Sequence, residues 1–390
     1  MNARRENGEL IVELSGRIDT NNAAQAEEEI FRLLETREPE ETLVFDADDL
    51  TYISSAGLRV LMKVRKELGA PLEIRNTSLE VYDIFEATGF TELFSVSRGL
   101  RRLSVDGCEI VGKGAAGTVY RYDPETVVKV YHEPGPKDAI AERETARKAF
   151  VFGLPTAISY EMVRVGDRYA SVFEMLDAEC LIDVMRASTD KLEDHAQNFV
   201  SLMKLIHAIE VPEGTFPAFK DRMRRMVEKL SADAGKPDDL TEADAAAVKA
   251  FIETLPDSMH LIHGDFHPGN VMCMGGEQML IDLDRLSTGD PIFELSMVYV
   301  PFCGFAEIDP KDNERFLGLP YEFCQRFFKR VLELYYDLSS EEELAAKMKT
   351  IRTIAYIEMM HKMKVTRRMR DEQTVHNYFF WLKELKELLM

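Results

Sequence analysis

One short loop in the sequence, LIHGDFHPGNVM at residues 261–272, concentrates polar and turn-forming residues. Within it, Asp265 and Asn270 are separated by four residues, which is the D-x-x-x-x-N spacing of a phosphoryl-transfer catalytic loop. In that chemistry the aspartate orients and deprotonates an acceptor hydroxyl, and the asparagine oxygen binds a magnesium ion. Pro268 and Gly269 shape the turn between the two side chains. The pattern therefore predicts a kinase-type catalytic loop.

The two histidines of this loop allow a different interpretation, as the HxxxH ligands of a zinc ion. That arrangement needs a helix that presents both rings on one face. Gly264, Pro268 and Gly269 disfavour a helix at this point. We therefore expect His263 and His267 to form hydrogen bonds that stabilise the loop.

A second acidic segment, MLIDLDRLSTGDP, follows the loop after a glycine turn. Asp282 comes at the end of an apolar strand, where a kinase needs a second carboxylate for its metal. Strand alternation places Asp284 on the same face. The alternative for this pair is an ordinary acidic strand end. Only a short predicted hairpin separates the pair from the Asp265 loop in the sequence, which favours the metal-binding role. Asp290 is expected to cap or turn the chain.

The glycine-rich stretch VGKGAAGTVY contains Gly112, Gly114 and Gly117 in the spacing G-x-G-x-x-G. Glycines allow a backbone to approach phosphates closely. An ordinary hairpin turn and a dinucleotide-binding fingerprint are the alternatives, and the fingerprint requires a helix after the glycines. Here the glycines are followed by TVYRY and then VVKVY, both of which resemble strands. A hairpin that covers nucleotide phosphates is therefore favoured.

A lysine follows this hairpin in the strand VVKVY. Alternation places Lys129 on the face opposite to Val128 and Val130, so it either is exposed or reaches the nucleotide phosphates. A phosphate-binding lysine needs a carboxylate to hold it. The next helix, DAIAERETARKAF, offers Glu142 and Glu144 as partners of Lys129. The alternative is that these glutamates lie on a solvated face of the helix.

Composition limits the classes of function. The chain has 390 residues, 45% hydrophobic and 30% charged, with a formal net charge of −21. Such a charge disfavours nucleic-acid binding. No apolar run reaches the roughly 20 residues that span a bilayer, and the first residues do not resemble a signal peptide. The five cysteines are scattered without a CxxC pair, which predicts free thiols and a cytoplasmic location.

The order of predicted elements indicates an α/β and α+β multidomain protein. In the first part, the strands ELIVEL, TLVFDA and PLEIRN alternate with helices, the first of which Asn21 or Asn22 can cap, and DLTYI forms a loop before the second. The pattern changes near residue 97. We predict a domain over 1–97, a linker over 98–105, a strand-rich lobe over 106–178 and a helical lobe over 179–390, with a polar break at SADAGKPDD.

Residues 106 to about 390 resemble the aminoglycoside phosphotransferase and choline kinase family, whose members have a bilobal protein-kinase-like fold with a mostly helical C-terminal lobe. The segments HGDFHPGN and IDLDRLSTGDPIFELS carry the resemblance. It implies ATP and Mg²⁺ as cofactors, Asp265 as the base, Asn270 and Asp282 as magnesium ligands, and Glu144 as the partner of Lys129. It also implies a nucleotide hinge near VFEML, residues 172–176. Glu294 replaces an aspartate common in the family and is expected to be structural.

Residues 8–97 resemble the STAS domain of anti-sigma factor antagonists, through GELIVELSGRIDTNNAAQAEEEI, YISSAGLRVL and LEVYDIFEATGFTELF in order. In that family a serine at a helix start is phosphorylated by an anti-sigma factor kinase, which controls partner binding. The matching residue is Ser55. The family commonly has aspartate before this serine, where this chain has Ser54.

The sequence therefore predicts an ATP- and magnesium-dependent phosphotransferase that acts on a small-molecule hydroxyl and is regulated through a STAS domain. A cationic acceptor, such as an amino alcohol or an aminoglycoside, is weakly favoured by the acidic composition. The first alternative is a partner-switching protein whose kinase domain phosphorylates a protein serine such as Ser55. The second is a scaffold that binds nucleotide and a sigma regulator without turnover.

Overall fold

The computed structural model describes residues 1–114, 116–231, 240–366 and 370–389. The chain divides into two compact units. Met1–Cys108, Val130–Gly135 and Met162–Ala170 form the first unit, and Glu109–Lys129, Pro136–Glu161 and Ser171–Met390 form the second. Within the described ranges, no helix has both the length and the apolar character needed to cross a membrane.

The N-terminal part is the predicted α/β layer. Its elements in chain order are β1 Asn2–Glu6, β2 Glu9–Ile18, α1 Ala23–Leu34, β3 Thr42–Ile53, α2 Ser55–Leu68, β4 Leu72–Thr77, α3 Leu79–Ala87, β5 Phe94–Arg98 and β6 Arg101–Leu103. The first five strands form one sheet in the order β1-β2-β3-β4-β5. β1 is antiparallel to β2, and the other neighbours are parallel.

The buried central strands explain why the sequence reveals them. Val12 of β2 is aligned with Phe45 of β3, which is aligned with Ile74 of β4, and all three side chains are buried. Parallel strands covered on both faces appear as continuous apolar runs. The edge strand β1 has only exposed residues and no apolar alternation, so no sequence pattern indicated it.

Two details of this layer differ from the prediction. DLTYI belongs to β3 and is not a loop, because the strand continues to Ile53. Asn22 occupies the residue before α1, but its side chain does not cap the helix. Instead, its Oδ1 accepts from the backbone N–H of Asp19 at 2.8 Å and its Nδ2 donates to the carbonyl of Arg17 at 2.6 Å. Asn22 thus stabilises the turn that leads into the helix.

The remaining chain forms a strand-rich part followed by a helical part. Its elements are β7 Glu109–Lys113, β8 Gly117–Arg121, β9 Thr126–Tyr131, α4 Lys137–Val151, β10 Ser159–Val165, β11 Arg168–Glu174, β12 Glu179–Cys180, α5 Leu181–Ala187, α6 Leu192–His207, α7 Phe219–Ser231, α8 Glu242–Thr254, β13 Leu261–Ile262, β14 Val271–Met274, β15 Glu277–Leu280, β16 Ser287–Thr288, α9 Pro291–Tyr299, α10 Asp312–Leu317, α11 Tyr321–Tyr336, α12 Glu341–His361 and α13 Glu372–Leu389. This is the predicted protein-kinase-like arrangement. Most of the predicted break SADAGKPDD, residues 232–239, lies outside the described residues.

The helical part is built around α12, which packs against α7, α9 and α13. Ten of its residues are buried, so it is a central helix of the core. A capping box begins it, because the Ser340 hydroxyl accepts from the N–H of Glu343 and the Glu343 carboxylate accepts from the N–H of Ser340. On α13, Trp381 is fully buried in the same core. These contacts give the catalytic segments a rigid support.

Candidate active site

The catalytic loop is held between two short pairs of strands. β13, which precedes it, pairs with β16, and β14, which follows it, pairs with β15. Phe266 within the loop is fully buried, and its ring centroid lies 4.6 Å from that of Phe199 on α6. The loop is therefore anchored at both ends and in its middle, as preorganised catalysis requires.

His263 connects the loop to the segment that carries Asp282. Its Nδ1 accepts a hydrogen bond from the backbone N–H of Asp265 at 3.3 Å, so its Nε2 carries the proton and donates to the carbonyl of Ile281 at 3.1 Å. His267 acts locally, because its Nδ1 accepts from the N–H of Gly269 at 3.1 Å. The prediction that both histidines stabilise the loop is confirmed.

Glu294 on α9 is fully buried beneath the loop. Its carboxylate accepts hydrogen bonds from the backbone N–H groups of His263 and Gly264, the latter at 3.0 Å. Such charge-assisted bonds are stronger than neutral ones. The structural role expected of Glu294 is therefore confirmed, and the glutamate fixes the start of the catalytic loop. Asp290 caps α9 by accepting from the N–H of Ile292, as expected.

Gly264 is required by the shape of the loop. Its φ is +78°, in the left-handed region that side chains rarely adopt, and an added Cβ would lie 2.4 Å from the backbone oxygen of Arg285. This close approach brings Arg285 next to Asp265, the predicted base. The Arg285 Nη1 lies 3.7 Å from the Asp265 Oδ1. Arg285 was not among the residues predicted from the sequence.

Asp265 and Asn270 face each other across the loop. The Asn270 Nδ2 donates to the backbone carbonyl of Asp265 at 3.0 Å, which directs the amide oxygen away from that carbonyl. The backbone oxygen of Asn270 accepts from the N–H of Ile281 at 3.1 Å, next to Asp282. Burial raises the pKa of the Asp265 carboxyl, and burial lowers the pKa of the nearby His267. A raised pKa makes Asp265 a stronger proton acceptor.

Asp282 follows β15 in an unusual backbone conformation. Its φ is +61°, and 45% of its side-chain surface is exposed. The strand ends at Leu280, and residues 283–285 form a 3-10 turn, so the predicted strand alternation of Asp282 and Asp284 is wrong. Burial, together with the charge of Asp282, raises the pKa of Asp284 to about 6. Backbone strain of this kind is typical of functional sites.

Lys129 is held by a glutamate of α4, but not by the predicted one. Its Nζ lies 2.8 Å from the Oε1 of Glu142 and 3.4 Å from the Oδ1 of Asp282. Glu144 is exposed, because it comes two positions after Glu142 on α4 and therefore lies on a different face of the helix. Burial disfavours the charged lysine, but Glu142 and Asp282 outweigh that effect, and the pKa of Lys129 is raised.

The glycine-rich stretch forms the predicted hairpin. β7 and β8 are antiparallel, with Lys113 opposite Thr118, and the N–H of Gly114 donates to the carbonyl of Gly117 at 2.9 Å. In the second unit the strand order β11-β9-β8-β7 places β8 beside the strand of Lys129. Ala115, between the glycines, lies outside the described residues.

The oxygen-rich donor set fits Mg²⁺. Asn270 and Asp282 offer an amide oxygen and a carboxylate, which are ligands that this hard cation prefers. No group of three or more His, Cys, Asp or Glu side chains in the described chain could hold a metal by itself. Magnesium usually takes only one or two ligands from a protein and the others from nucleotide phosphates and water, so these two side chains would be enough to hold it.

The serine pair of the first unit lies at the start of α2. The Ser54 hydroxyl caps the helix by accepting from the N–H of Ala56 at 3.2 Å. Ser55 is the first residue of the helix, and it is exposed. An added Cβ on Gly57 would lie 2.7 Å from Ile53 and 2.8 Å from Ile18, so glycine is needed for the helix to approach the sheet.

Comparison with known proteins agrees with both halves of this description. The profile of the phosphotransferase enzyme family (APH) matches residues 107–318, more than half of the chain, and that of the STAS domain matches residues 1–102. The chain therefore belongs to the phosphotransferase enzyme family and carries an N-terminal STAS domain. It is a phosphotransferase.

Individual relatives resemble one half each. BtrV of Bordetella bronchiseptica, whose name places it among the anti-sigma factor antagonists, is 37% identical over 93 residues, which cover 23% of this chain and 78% of BtrV. Two crystal structures of aminoglycoside phosphotransferase APH(4)-Ia, the second of a thermostable mutant in complex with ADP and hygromycin B, share the fold with a TM-score of 0.51 in both cases. The identities are 13% and 14%, and both comparisons cover 72% of this chain and 92% of the other.

Proposed function

We propose that the kinase domain transfers the γ-phosphoryl group of ATP to a hydroxyl group of a small molecule, and that the STAS domain regulates this reaction. The observation that carries the proposal is the convergence of distant residues on one site. Lys129, paired with Glu142, lies within 3.4 Å of Asp282, while the backbone of Asn270 joins the Asp282 segment to the loop of Asp265.

Each residue then has a defined role. The Asp265 carboxylate accepts the proton of the acceptor hydroxyl. The hydroxyl oxygen forms its bond to the γ-phosphorus while the bond from that phosphorus to the bridging oxygen of ADP breaks. Lys129 binds the nucleotide phosphates, and the hairpin of Gly112, Gly114 and Gly117 covers them.

Asn270 and Asp282 would hold magnesium, which neutralises phosphate charge when bound. Glu142 takes the place of Glu144 as the residue that holds Lys129. The cytoplasmic location and the boundaries at residues 97 and 105 stay predictions.

The test is the release of ADP from Mg-ATP by the purified chain, with and without added alcohols. A small alcohol that stimulates release and gains a phosphate in the product mass spectrum is the expected result. Asp265→Asn should lower kcat by about 10²–10⁴-fold, because general-base catalysis contributes that much. Full turnover by this variant would contradict the mechanism.

Glu144→Gln is the matched control for Asp265→Asn. The side chain of Glu144 is an exposed carboxylate on α4 that does not hold Lys129. Its replacement should leave kcat unchanged.

A partner-switching function is the second candidate, and the exposure of Ser55 at the start of α2 favours it. The helix N-terminus stabilises a phosphate there electrostatically. In this version the kinase domain phosphorylates a protein serine, and an anti-sigma factor or similar regulator is the STAS partner. Mass spectrometry of the protein after incubation with ATP decides between the candidates, since an unmodified Ser55 speaks against this one.

A further inference from the structure

A charged cluster borders the catalytic base on the side of α12. The guanidinium of Arg285 contacts two carboxylates: its Nη1 lies 3.7 Å from Asp265, and its Nη2 donates to Glu358. A single guanidinium therefore lies between Glu358 and the proposed base. Arg285 thus links the end of α12 to Asp265.

Glu358 is buried, with 10% of its side-chain surface exposed. Its Oε1 accepts from Arg285 and from the Nη2 of Arg222 at 3.1 Å. Its Oε2 is also buried, but forms no hydrogen bond with any described residue. Leaving one carboxylate oxygen unsatisfied in the protein interior is costly, so this atom is suited to accept a hydrogen bond from a ligand.

His361 repeats this pattern one helical turn further along α12. Its Nε2 is buried and lacks a hydrogen-bond partner in the described part of the chain. Residues three positions apart on a helix are neighbours on its surface. Burial lowers the pKa of His361, which favours the neutral ring. The two side chains thus offer adjacent polar atoms that the protein itself does not satisfy.

The charges around this pair are mostly positive. Arg222 and Arg285 already compensate the single charge of Glu358. Lys362 acts electrostatically on Asp265, and Lys229 acts on His361. Three basic side chains, Arg222, Arg285 and Lys229, therefore act on Glu358 and His361, whereas Lys362 and the carboxylate of Asp282 act on Asp265. A polycationic ligand would be repelled here, whereas an uncharged hydroxyl could donate to Glu358 without such a penalty.

We propose that Glu358 and His361 bind the acceptor, and that the acceptor is a polyhydroxyl compound without positive charge, such as a sugar or a cyclitol. One hydroxyl donates to Oε2 of Glu358, and a second hydroxyl bonds to Nε2 of His361. A further hydroxyl is thereby held near Asp265. The inference rests on the proposed function and revises the weak preference for a cationic acceptor.

The test measures binding rather than turnover, so that it can fail separately from the proposed function. The full chain is saturated with Mg²⁺ and a non-hydrolysable ATP analogue. Saturation-transfer NMR then measures the affinity for two uncharged polyols, myo-inositol and glucose, and for two cationic alcohols, choline and kanamycin. ADP release with the same compounds and Mg-ATP tests the proposed function in parallel.

Two variants identify the binding residues, and a third is the control. Glu358→Gln and His361→Leu should each weaken polyol binding about tenfold, the effect of losing one hydrogen bond of about 1.4 kcal/mol. His361→Leu leaves both arginine pairs of Glu358 in place. The control is Glu307→Gln. The Oε2 of Glu307 is also buried and unsatisfied within the described residues, but its Oε1 accepts from the hydroxyls of Tyr299 and Tyr356 and not from arginines of the cluster.

The outcomes separate clearly. Polyol binding that is weakened by both variants and kept by the Glu307 variant supports the inference. Failure of both polyols to bind would overturn it, as would tighter binding of choline or kanamycin, or polyol binding that neither variant changes. ADP release that no compound stimulates, despite polyol binding at Glu358, would count against the proposed function alone.

Discussion

In the STAS domain the residues around the exposed serine lie within one stretch of sequence, whereas in the kinase domain the contacting residues come from distant segments. Ser54, Ser55 and Gly57 all belong to the start of α2. Lys129 and Asp282 are 153 positions apart, and Arg285 and Glu358 are 73 apart. The first site depends on a helix start, and the second depends on the packing of the whole domain.

This difference teaches where each site is vulnerable. A helix start keeps its geometry through a cap and one close contact with the sheet, each of which acts locally. The catalytic loop keeps its geometry through buried groups on other elements, such as Glu294 on α9. Substitutions far from Asp265 in sequence should therefore damage the kinase site, whereas the start of α2 depends on its own cap and on its contacts with Ile18 and Ile53 of the sheet.

The largest expected effect comes from Glu294→Ala. The substitution leaves the N–H groups of His263 and Gly264 buried without an acceptor, and it should cost about 3 kcal/mol of stability and lower kcat. Fluorescence of Trp381, the single tryptophan, reports unfolding of this domain in urea. The control is Ser296→Ala on the same helix, which removes one hydroxyl bonded to the carbonyl of Ile292 and should cost less. Equal losses in the two variants would contradict the role of Glu294.

The next effect concerns the two glutamates of α4. Glu142→Gln removes the charge that holds Lys129 and should lower kcat/KM for ATP by about 10- to 100-fold, equivalent to about 1.4–2.7 kcal/mol. Glu144→Gln should have no effect, because that side chain is exposed. Steady-state kinetics with varied ATP measures both. If the Glu144 variant loses more activity than the Glu142 variant, the pairing described here is wrong.

A smaller effect is expected at the start of α2. Ser54→Ala removes the cap and should cost about 1 kcal/mol, whereas Ser55→Ala should change stability by less than about 0.5 kcal/mol. Hydrogen exchange of the α2 amides measures the local loss. In both variants the urea unfolding transition reported by Trp381 should stay the same, because the substitutions act only on the start of α2. A shift of that transition would mean that the start of α2 also depends on distant contacts.

The smallest effect is a pH dependence at Asp284. Its pKa is about 6 in the folded chain, above its usual value, so the folded state binds the proton more tightly than the unfolded state does. The carboxylate therefore disfavours folding once the pH rises through about 6. In the absence of Mg²⁺ and nucleotide, Asp284→Asn should stabilise the protein by at most about 1 kcal/mol at about pH 8. The carboxyl lies among protein atoms, but its side chain keeps enough exposed surface for solvent to screen the charge.

The same substitution should have a much smaller effect at about pH 4, where the folded state is protonated and the unfolded state is about half protonated. Urea unfolding at the two pH values measures the difference. Asp284→Glu, which keeps the charge, is the control and should not show the gain. An Asn variant with the same gain at both pH values would rule out titration of Asp284 as its cause.

The same contrast explains how much could be predicted from the sequence. Asp265, Asn270 and Asp282 lie close together in the chain, and the loop chemistry indicates their roles directly. The choice between Glu142 and Glu144 was wrong because both lie on one helix, and only tertiary packing decides which faces Lys129. Arg285 and Glu358 had no motif to reveal them, since their pairing arises from the meeting of α12 with the catalytic loop. The polar edge strand β1 likewise lacked an apolar signal.

The most direct test of the central claim is the destination of the γ-phosphoryl group. The purified chain is incubated with Mg²⁺ and γ-labelled ATP, together with the polyols and cationic alcohols named above, and the label is measured on the small molecules and on the protein. The same reaction is run with Asp265→Asn and with Ser55→Ala. We predict that label reaches a small alcohol, that the Asp265 variant abolishes this transfer and that the Ser55 variant retains it. Label that remains on the protein at Ser55, with none on any alcohol, would contradict the account.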